Sequence, residues 1–548
     1  MSLFRPRARH LDKAPADRIL NAIVEVFERR EISGWIEVEP GALAVRVGLY
    51  INDDEVAATW ASVKNGRRAA GELRRFRFAL YDLWRFTSRT DRVSLRVLGR
   101  PIPIAGKGMF YVPRRDGEES LKILKRRLAS GYVFGQSGRL QLSKSMDTRW
   151  QATVMGLYGR VAAVLEEAFG YQAFLCYGTL LGAVRESGGF IGHDLDFDCA
   201  YVSKHTDSQA LLAEVKTLAF HLIDRGFDVT AKRTCLAIKD QASDGVKIDL
   251  FHLFYNEEGE IRFPFGVAGA SVFYSSQFGQ LRPTQLAGRT ALIPESAELL
   301  LTHIYGADWR TPNPGFNWQN DRSNSAREGI ISLDDVEEVY WANFYSQASY
   351  ERGSTFCDFI ASQVDLPNVV IDIGCGDGRD SYAFAKAGKR VVGVDRSHIG
   401  IRHATAKAEK LGYGADIDFH GCDVNDKERL QGIIEHTRLS HPGESLLFYL
   451  RFFLHSISAE TQDAMMRVLQ QCSGPGDFFA AEFRTDKDEA KQKVHGKHFR
   501  RYQNGPAFAT TLAEQYNFAV RIQQEGNGFS PYNGEDPELF RVVAARMD

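Results

Sequence analysis

The period of the apolar positions changes repeatedly along the chain. From about residue 20 to 112 apolar residues alternate with polar ones or run β-branched, as in Trp35-Ile36-Glu37-Val38-Glu39, Leu43 to Tyr50, Phe76 to Leu80 and Val93 to Leu98. Asn52-Asp53-Asp54 supplies a turn between two of these runs. Short strands at this spacing predict an N-terminal β-sandwich. Asp116 to Arg149 is charged and mixed, with a helix-like run from Leu121 to Leu128, and reads as a linker packed on the domain that follows. Met155 to Phe169 carries apolar residues at helical spacing and predicts an amphipathic helix. That helix leads into Leu175 to Ala200. This stretch reads as a strand end, a turn at Tyr177-Gly178-Thr179, a short apolar helix through Arg185, a glycine turn at Gly188-Gly189, and a strand carrying Asp194, Asp196 and Asp198. Val246 to Phe251 is a further buried strand with an acid, Asp249, between apolar neighbours. After a polar junction from Ser323 to Glu338 the pattern becomes α/β. A buried strand, Val369 to Ile373, runs into a glycine turn, then a helical run from Arg379 to Ala387, then a second strand, Arg390 to Asp395.

Composition bounds this picture. A chain of 548 residues exceeds one core, and three domains are expected: residues 1–115, 116–335 and 336–548. With 44% hydrophobic and 25% charged residues it is an ordinary globular composition. A formal net charge of −2 argues against a general nucleic-acid binder, and no nucleic-acid partner is expected. No apolar run is long enough to span a bilayer, and the first residues lack the apolar region of a secretory leader. A cytoplasmic protein is expected, at most peripheral to the inner face of the membrane, where Arg5, Arg7 and Arg9 offer a small basic cluster. Cys176, Cys199, Cys235, Cys357, Cys375, Cys422 and Cys472 are scattered, with no C-x-x-C pair. That fits reduced thiols and gives no zinc site.

The acids carry the first chemistry. Side chains two apart on a strand share a face, so Asp194, Asp196 and Asp198 would gather like charges. Such a face is costly unless a cation neutralises it, and Mg²⁺ binds through one or two carboxylates together with substrate phosphates. Candidate phosphate-binding cations are Arg185, Lys239, Lys247, Arg282 and Arg289. Gly178-Thr179 followed by Asp196-Phe197-Asp198 resembles the nucleotidyltransferase superfamily. The string from Gly178 to Arg185 and on to Asp198 resembles its LicD/fukutin branch. The runs Leu286 to Pro294 and Tyr305-Gly306-Ala307-Asp308-Trp309 resemble further marks of that branch. The chain departs from it at Ile191-Gly192-His193, where the family usually has Ile-Pro-Trp. The resemblance implies a central α+β nucleotidyltransferase fold that moves phosphocholine or a polyol phosphate from a CDP-linked donor onto a glycan. Asp196 and Asp198 would hold Mg²⁺, Asp249 would complete the site and orient or deprotonate the acceptor hydroxyl, and Asp194 would support it. A nucleotidyltransferase that adds AMP to a small molecule is disfavoured by the Leu-Leu-Gly-Ala-Val-Arg extension.

The second chemistry lies in Asp372-Ile373-Gly374-Cys375-Gly376-Asp377-Gly378. A glycine-rich turn at a helix N-terminus lets a ligand approach the backbone, and an acid after the next strand binds ribose hydroxyls. The spacing differs from the G-x-G-x-x-G of nicotinamide-binding domains. With Asp395 at the next strand end it resembles class I S-adenosylmethionine-dependent methyltransferases, an α/β Rossmann-like fold. The resemblance implies that Asp372, Gly374, Gly376 and Gly378 bind the methionine part, Asp395 the ribose and Asp423 the adenine. Tyr340, Trp341, Phe344 and Tyr345 would cover the cofactor. Arg451, His455, Arg484, Lys497, His498, Arg500 and Arg501 follow the acceptor-side strand and suit an anionic methyl acceptor, with His455 or Glu482 as general base. The chain thus reads as a multidomain, bifunctional enzyme of surface-glycan assembly that acts with a CDP-linked donor and a glycan acceptor, beside a membrane-bound assembly complex. The alternative is a methyltransferase whose central domain only binds glycan or an assembly complex.

Overall fold

The computed structural model describes residues 19–40, 44–68, 71–269, 271–312, 316, 318, 328–347, 352–362, 366–491, 493, 499–532 and 534–547. Arg5, Arg7, Arg9, Leu43, Lys497, His498 and the start of the polar junction at Ser323 lie outside these residues. The chain forms two compact units, one of residues 1–215 and 234–330, the other of 216–233 and 331–548.

In the first unit the N-terminal strands form one antiparallel path. Its order is Ile19–Phe27, Glu31–Val38, Gly71–Ala79, Asp54–Arg68, Val45–Ile51, Val93–Val97 and Arg100–Pro101. The long strand Asp54–Arg68 pairs through its first half with Val45–Ile51 and through its second with Gly71–Ala79. A bridge from Val24 to Ile104 brings the first strand to the chain beyond the last. The β-rich expectation holds, and its two layers are halves of one sheet folded over a shared core of Val24, Ile36, Val47, Leu49, Phe76 and Leu95. The charged stretch after residue 116 packs on this sheet. Leu121, Leu124 and Leu128 give the helix Leu121–Ala129 an apolar stripe, and Leu124 is fully buried in the sheet's core. A hairpin of Tyr132–Phe134 and Leu140–Leu142 follows, with Phe134 and Leu140 against the same core.

The amphipathic helix runs from Thr148 to Phe169, about two turns longer than the apolar pattern alone requires. Asp147 caps it by accepting from the Trp150 N–H, and Gly170 ends it in the left-handed region. Beyond it Phe174–Leu175, Asp198–Val202, Ile248–Tyr255 and Cys235–Lys239 lie side by side in one sheet, in that order. Asp198–Val202 and Ile248–Tyr255 run parallel, and the other two pairings are antiparallel. Ile248–Tyr255 is buried along almost its whole length, which suits a central strand.

The second unit holds a seven-stranded sheet. Numbering its strands in chain order from Val369–Ile373, they lie side by side as third, second, first, fourth, fifth, seventh, sixth. The first five are parallel, and the seventh, Leu539–Arg546, is antiparallel to both its neighbours. This is a doubly wound α/β sheet with a separate apolar cluster on each face. Val369, Ile371 and Ile373 point into one cluster, Val370 into the other. The strand order reverses between Val369–Ile373 and Leu446–Arg451, which places a ligand crevice at their carboxyl ends. Among the described residues no helix is long and apolar enough to cross a membrane. All seven cysteines are free thiols, and all but the half-buried Cys472 are buried.

Candidate functional site

The acids of the central segment do meet, though not on one strand. The strand begins only at Asp198, and Asp194 and Asp196 lie in the loop before it. The turn at Gly192-His193 delivers that loop without a ladder partner, so the alternating face expected of the three acids is not formed. Leu195 is exposed, while Phe197 is buried. The pairing that matters runs across strands. Asp198 stands in parallel register with Asp249, and side chains in register share a face. The Gly178-Thr179 turn clasps this pair. The Gly178 N–H donates to the Asp198 carboxylate at 3.1 Å, and Thr179 Oγ1 accepts from the Asp198 N–H at 2.7 Å. Asp194 approaches from the other side. A Cβ on Gly178 would stand 2.5 Å from its carboxylate, so a larger residue there would have to displace Asp194. Gln136, on the hairpin turn, donates to Asp194 Oδ1 at 2.9 Å.

Burial and like charge set the electrostatics. Burial first, then Asp194, Asp196 and Asp249, push the Asp198 carboxyl well above the usual carboxylate range. Burial and Asp196 push Asp194 up to about 6. Burial also drops His193 to about 4, so its imidazole is neutral at pH 7. Lys247 is the counter-charge in place. Its Nζ lies 3.3 Å from Asp249 and 3.8 Å from Asp196. Arg185 is the second cation at the cluster, holding Asp194 down by its charge while it donates to the Trp309 carbonyl. Arg282 and Arg289 are exposed on the hairpin Leu281–Leu286 and Arg289–Pro294, and among the described residues no ion pair joins them to the cluster; Lys239 is exposed as well. Among the described residues no set of three or more acid, histidine or cysteine side chains is arranged to hold a metal ion. The Asp198–Asp249 pair therefore stands as two carboxylates in register, with Lys247 beside them.

An aromatic shell flanks the acids. The Tyr177 ring, buried with its hydroxyl donating to the Gly266 carbonyl, packs 4.7 Å from Phe251, 5.4 Å from Phe265 and 5.4 Å from Trp318. Tyr305 and Phe316 close on Trp318 at 5.3 and 4.9 Å. Tyr305 stands near enough to Asp198 and Asp194 for their charge, after burial, to raise its phenol. The sequence reading missed this shell, whose members are far apart along the chain.

At the crevice of the second unit lies a cavity of about 980 Å³. Asp372, Gly374, Asp395 and Asp423 line one side, and Arg451, His455, Arg484 and Arg500 the other. The glycine turn takes left-handed backbone at Gly374, Gly376 and Gly378. The Gly376 N–H donates to Asp395 at 2.9 Å, tying the turn to the second strand end. The Tyr345 ring lies over Gly376, where a Cβ would meet it at 2.4 Å, and Tyr340, Trp341 and Phe344 also line the cavity. Asp372 accepts from Ser381 Oγ at 2.7 Å, and burial with Asp380 nearby pushes it up to about 8. Asp380 was not foreseen. It lies buried in the helix after the glycine turn and collects the Ser354 N–H, the Ser354 hydroxyl and the Tyr449 hydroxyl, each at 2.7 Å.

The basic residues beyond the fourth strand divide. Arg501 donates to the carbonyls of Leu454 and Ile457 and does not line the cavity. Arg484 lines it but is held by Asp488 and Glu535. Arg451 reaches Glu482 at 3.4 Å. Glu482, fully buried and also paired to Arg541 at 2.7 Å, does not line the cavity and anchors Arg451 rather than serving as a base. His455 Nδ1 accepts from the Arg484 N–H, which leaves the ring proton on Nε2. His455 lines the cavity among these basic residues. Between them sits Phe452, a non-glycine residue with φ of 54°, its ring 4.3 Å from the Arg451 guanidinium carbon. Strained backbone of this kind costs roughly 1–3 kcal/mol and persists only where its surroundings fix it.

Two family models match the chain. Residues 170–296 match the LicD/FKTN/FKRP nucleotidyltransferase domain, and residues 367–435 match a methyltransferase domain. The chain therefore joins a LicD-type segment to a methyltransferase segment. No curated protein matches it. Among solved structures it is similar to an S-adenosylmethionine-dependent methyltransferase from Anabaena variabilis. The two share 19% identity over 40% of this chain and 96% of that one, with a TM-score of 0.32. It is also similar to magnesium protoporphyrin IX methyltransferase from Synechocystis, at 16% identity over 38% and 84%, TM-score 0.25. A third is the PH0226 protein from Pyrococcus horikoshii, at 14% over 35% and 88%, TM-score 0.27.

Proposed function

We propose that the chain carries two transferase centres: a phosphotransferase at the acid cluster, on a nucleotidyltransferase-type scaffold, and an S-adenosylmethionine-dependent methyltransferase at the crevice of the second unit. One observation carries the first reading. Asp198 and Asp249 are set in register by the parallel strand pair, clasped by the Gly178-Thr179 turn, and carry more desolvated negative charge than Lys247 offsets. Asp198 and Asp249 would hold Mg²⁺, with Asp196 beside them. When bound, the metal neutralises the donor diphosphate and the leaving nucleotide. Asp249 orients the acceptor hydroxyl, Arg185 and Lys247 face the phosphates, and Asp194 keeps the loop at the turn through Gln136. Among CDP-linked donors, half-buried Phe265, Tyr305, Phe316 and Trp318 favour a trimethylammonium head group over a polyol, since aromatic faces attract a quaternary cation.

In the second centre Asp372 binds the cofactor's amino group, Asp395 the ribose and Asp423 the adenine. S-adenosylmethionine supplies an activated methyl group, and its transfer gains from proximity and orientation. His455 donates from Nε2 to the acceptor and orients it. Arg451 and Arg500 suit an anionic acceptor, such as a phosphate-bearing glycan. CDP-activated donors place this chemistry in the cytoplasm, beside glycan assembly at the membrane.

The test is CMP release from CDP-choline, CDP-glycerol and CDP-ribitol with Mg²⁺, with and without glycan extract. We expect release from CDP-choline that falls by about 10²-fold or more in Asp196→Ala and Asp198→Ala. The alternative is a central domain that only recruits glycan to the methyltransferase. No CMP release from any donor with extract present, alongside intact S-adenosylmethionine binding, would establish that alternative.

A further inference from the structure

The arginines of the N-terminal sheet are mostly ion-paired. Arg77 meets Glu31 at 2.8 Å, Arg85 meets Glu119 at 2.8 Å, and Arg96 meets Asp53 at 3.0 Å. Of those without an acid partner, three converge. The guanidinium carbons of Arg29, Arg30 and Arg139 lie 5.8, 5.7 and 5.5 Å from the ring centroid of one residue, Tyr81. All three arginines are exposed, and none pairs with an acid among the described residues. An exposed cation–π contact returns only about 0.5–1 kcal/mol, too little reason to gather three like charges on one ring. Guanidinium groups converging without acids are a ready receptor for phosphate or carboxylate oxygens.

The patch is fixed relative to the acid cluster by one turn. The hairpin loop from Gly135 to Arg139 lies flat on the sheet. The Gly138 carbonyl accepts from the Asp82 N–H at 3.0 Å, and the Leu140 N–H donates to the Asp82 carboxylate at 2.9 Å. Arg139 on this loop faces Tyr81, while Gln136 on the same loop donates to Asp194 of the cluster. Two residues lie between them, so their Cα atoms are at most roughly 11 Å apart. A ligand held at Tyr81 therefore has its neighbouring units beside the transfer site.

We propose that Arg29, Arg30 and Arg139 around Tyr81 form an acceptor subsite for an anionic glycan, one that carries phosphate or carboxylate groups on its sugars. The subsite role rests on the transferase reading above; the binding does not. A glycan fits better than a lipid surface, because the patch lies on the loop that reaches the acid cluster through Gln136, where a glycan acceptor has to lie.

The test is binding of the full-length protein, without donor, to fluorescent dextran sulfate, neutral dextran, and vesicles of equal parts phosphatidylglycerol and phosphatidylcholine. We expect wild type to bind dextran sulfate and not neutral dextran. The triple variant Arg29→Ala/Arg30→Ala/Arg139→Ala should lose at least tenfold in affinity, and the single charge reversal Arg139→Glu should lose affinity with an unchanged melting temperature. The control Arg521→Ala, an exposed arginine in the second unit, should not. Equal affinity of wild type and triple variant, or an equal loss in the control, would overturn the proposal. So would vesicle binding that depends on the three arginines while dextran sulfate binding does not. Because binding is read without turnover, a patch that binds beside a cluster that releases no CMP would sink the transferase reading alone.

Discussion

At the scale of single residues, the sequence exposed acids and glycines far better than it exposed their partners. Asp198, Asp249, Asp372 and Asp395 were legible because an acid inside an apolar run is costly unless it is used. Asp380 was not, because the Ser354 and Tyr449 groups that bury it come from distant segments, and helix spacing alone leaves it on the surface. Phe452 was invisible for a similar reason: its left-handed backbone is imposed by the strand end and the Glu482 carbonyl, which accepts its N–H at 2.8 Å. Asp372 makes a prediction at this scale. Its folded value near 8 lies above that of the unfolded chain, so between about pH 4 and pH 8 the native state binds the extra proton. Stability from this group is full below about pH 4 and is lost as the pH rises through 8. Asp372→Asn should flatten the fall in melting temperature across that window. Parallel wild-type and variant melting curves would contradict it. The same variant should weaken S-adenosylmethionine binding by roughly tenfold, about 1.4 kcal/mol, as measured by calorimetry.

At the scale of elements, strands and helices followed the apolar pattern, and the errors fell where pairing decides the outcome. The loop from Asp194 to Phe197 alternates like a strand, yet only from Asp198 onward does a neighbour supply ladder bonds. The charged run from 116 to 149 read as a linker packed on the domain that follows, whereas its helix and hairpin pack on the sheet that precedes it; the apolar stripe is narrow, three leucines on one helix face, and does not say which neighbour it meets. Its hairpin, Tyr132–Phe134 and Leu140–Leu142, is the element that links the folded sheet to the acids. Gly138 allows this. Its φ is 75°, and a Cβ there would stand 2.4 Å from the Tyr81 nitrogen. Gly138→Ala should lift the turn, lower the melting temperature by a few degrees, about 1–2 kcal/mol, and weaken acceptor-dependent transfer more than donor hydrolysis. Equal losses in the two rates would count against the hairpin as a positioning element.

At the scale of the molecule, the fusion was legible because each centre carries a local motif, whereas the division into units was not. The break after residue 330 falls close to the expected boundary, but residues 216–233 group with the second unit, which no composition shift announces. Two centres built from separate residues should fail separately. Asp198→Ala should leave S-adenosylhomocysteine affinity within about twofold of wild type, and Asp395→Asn should do the same for CMP release. Coupled losses would show that the two reactions share a folded state. The free cysteines give the molecule a property of another kind. Cys176 and Cys199 bracket the first centre, Cys375 sits in the glycine turn, and Cys422 precedes Asp423, all of them buried. A buried thiol reacts only when the structure around it opens. Each centre thus carries its own chemical clock, and the order in which these thiols are modified under mild denaturant records which of the two chemistries lets go of its fold first.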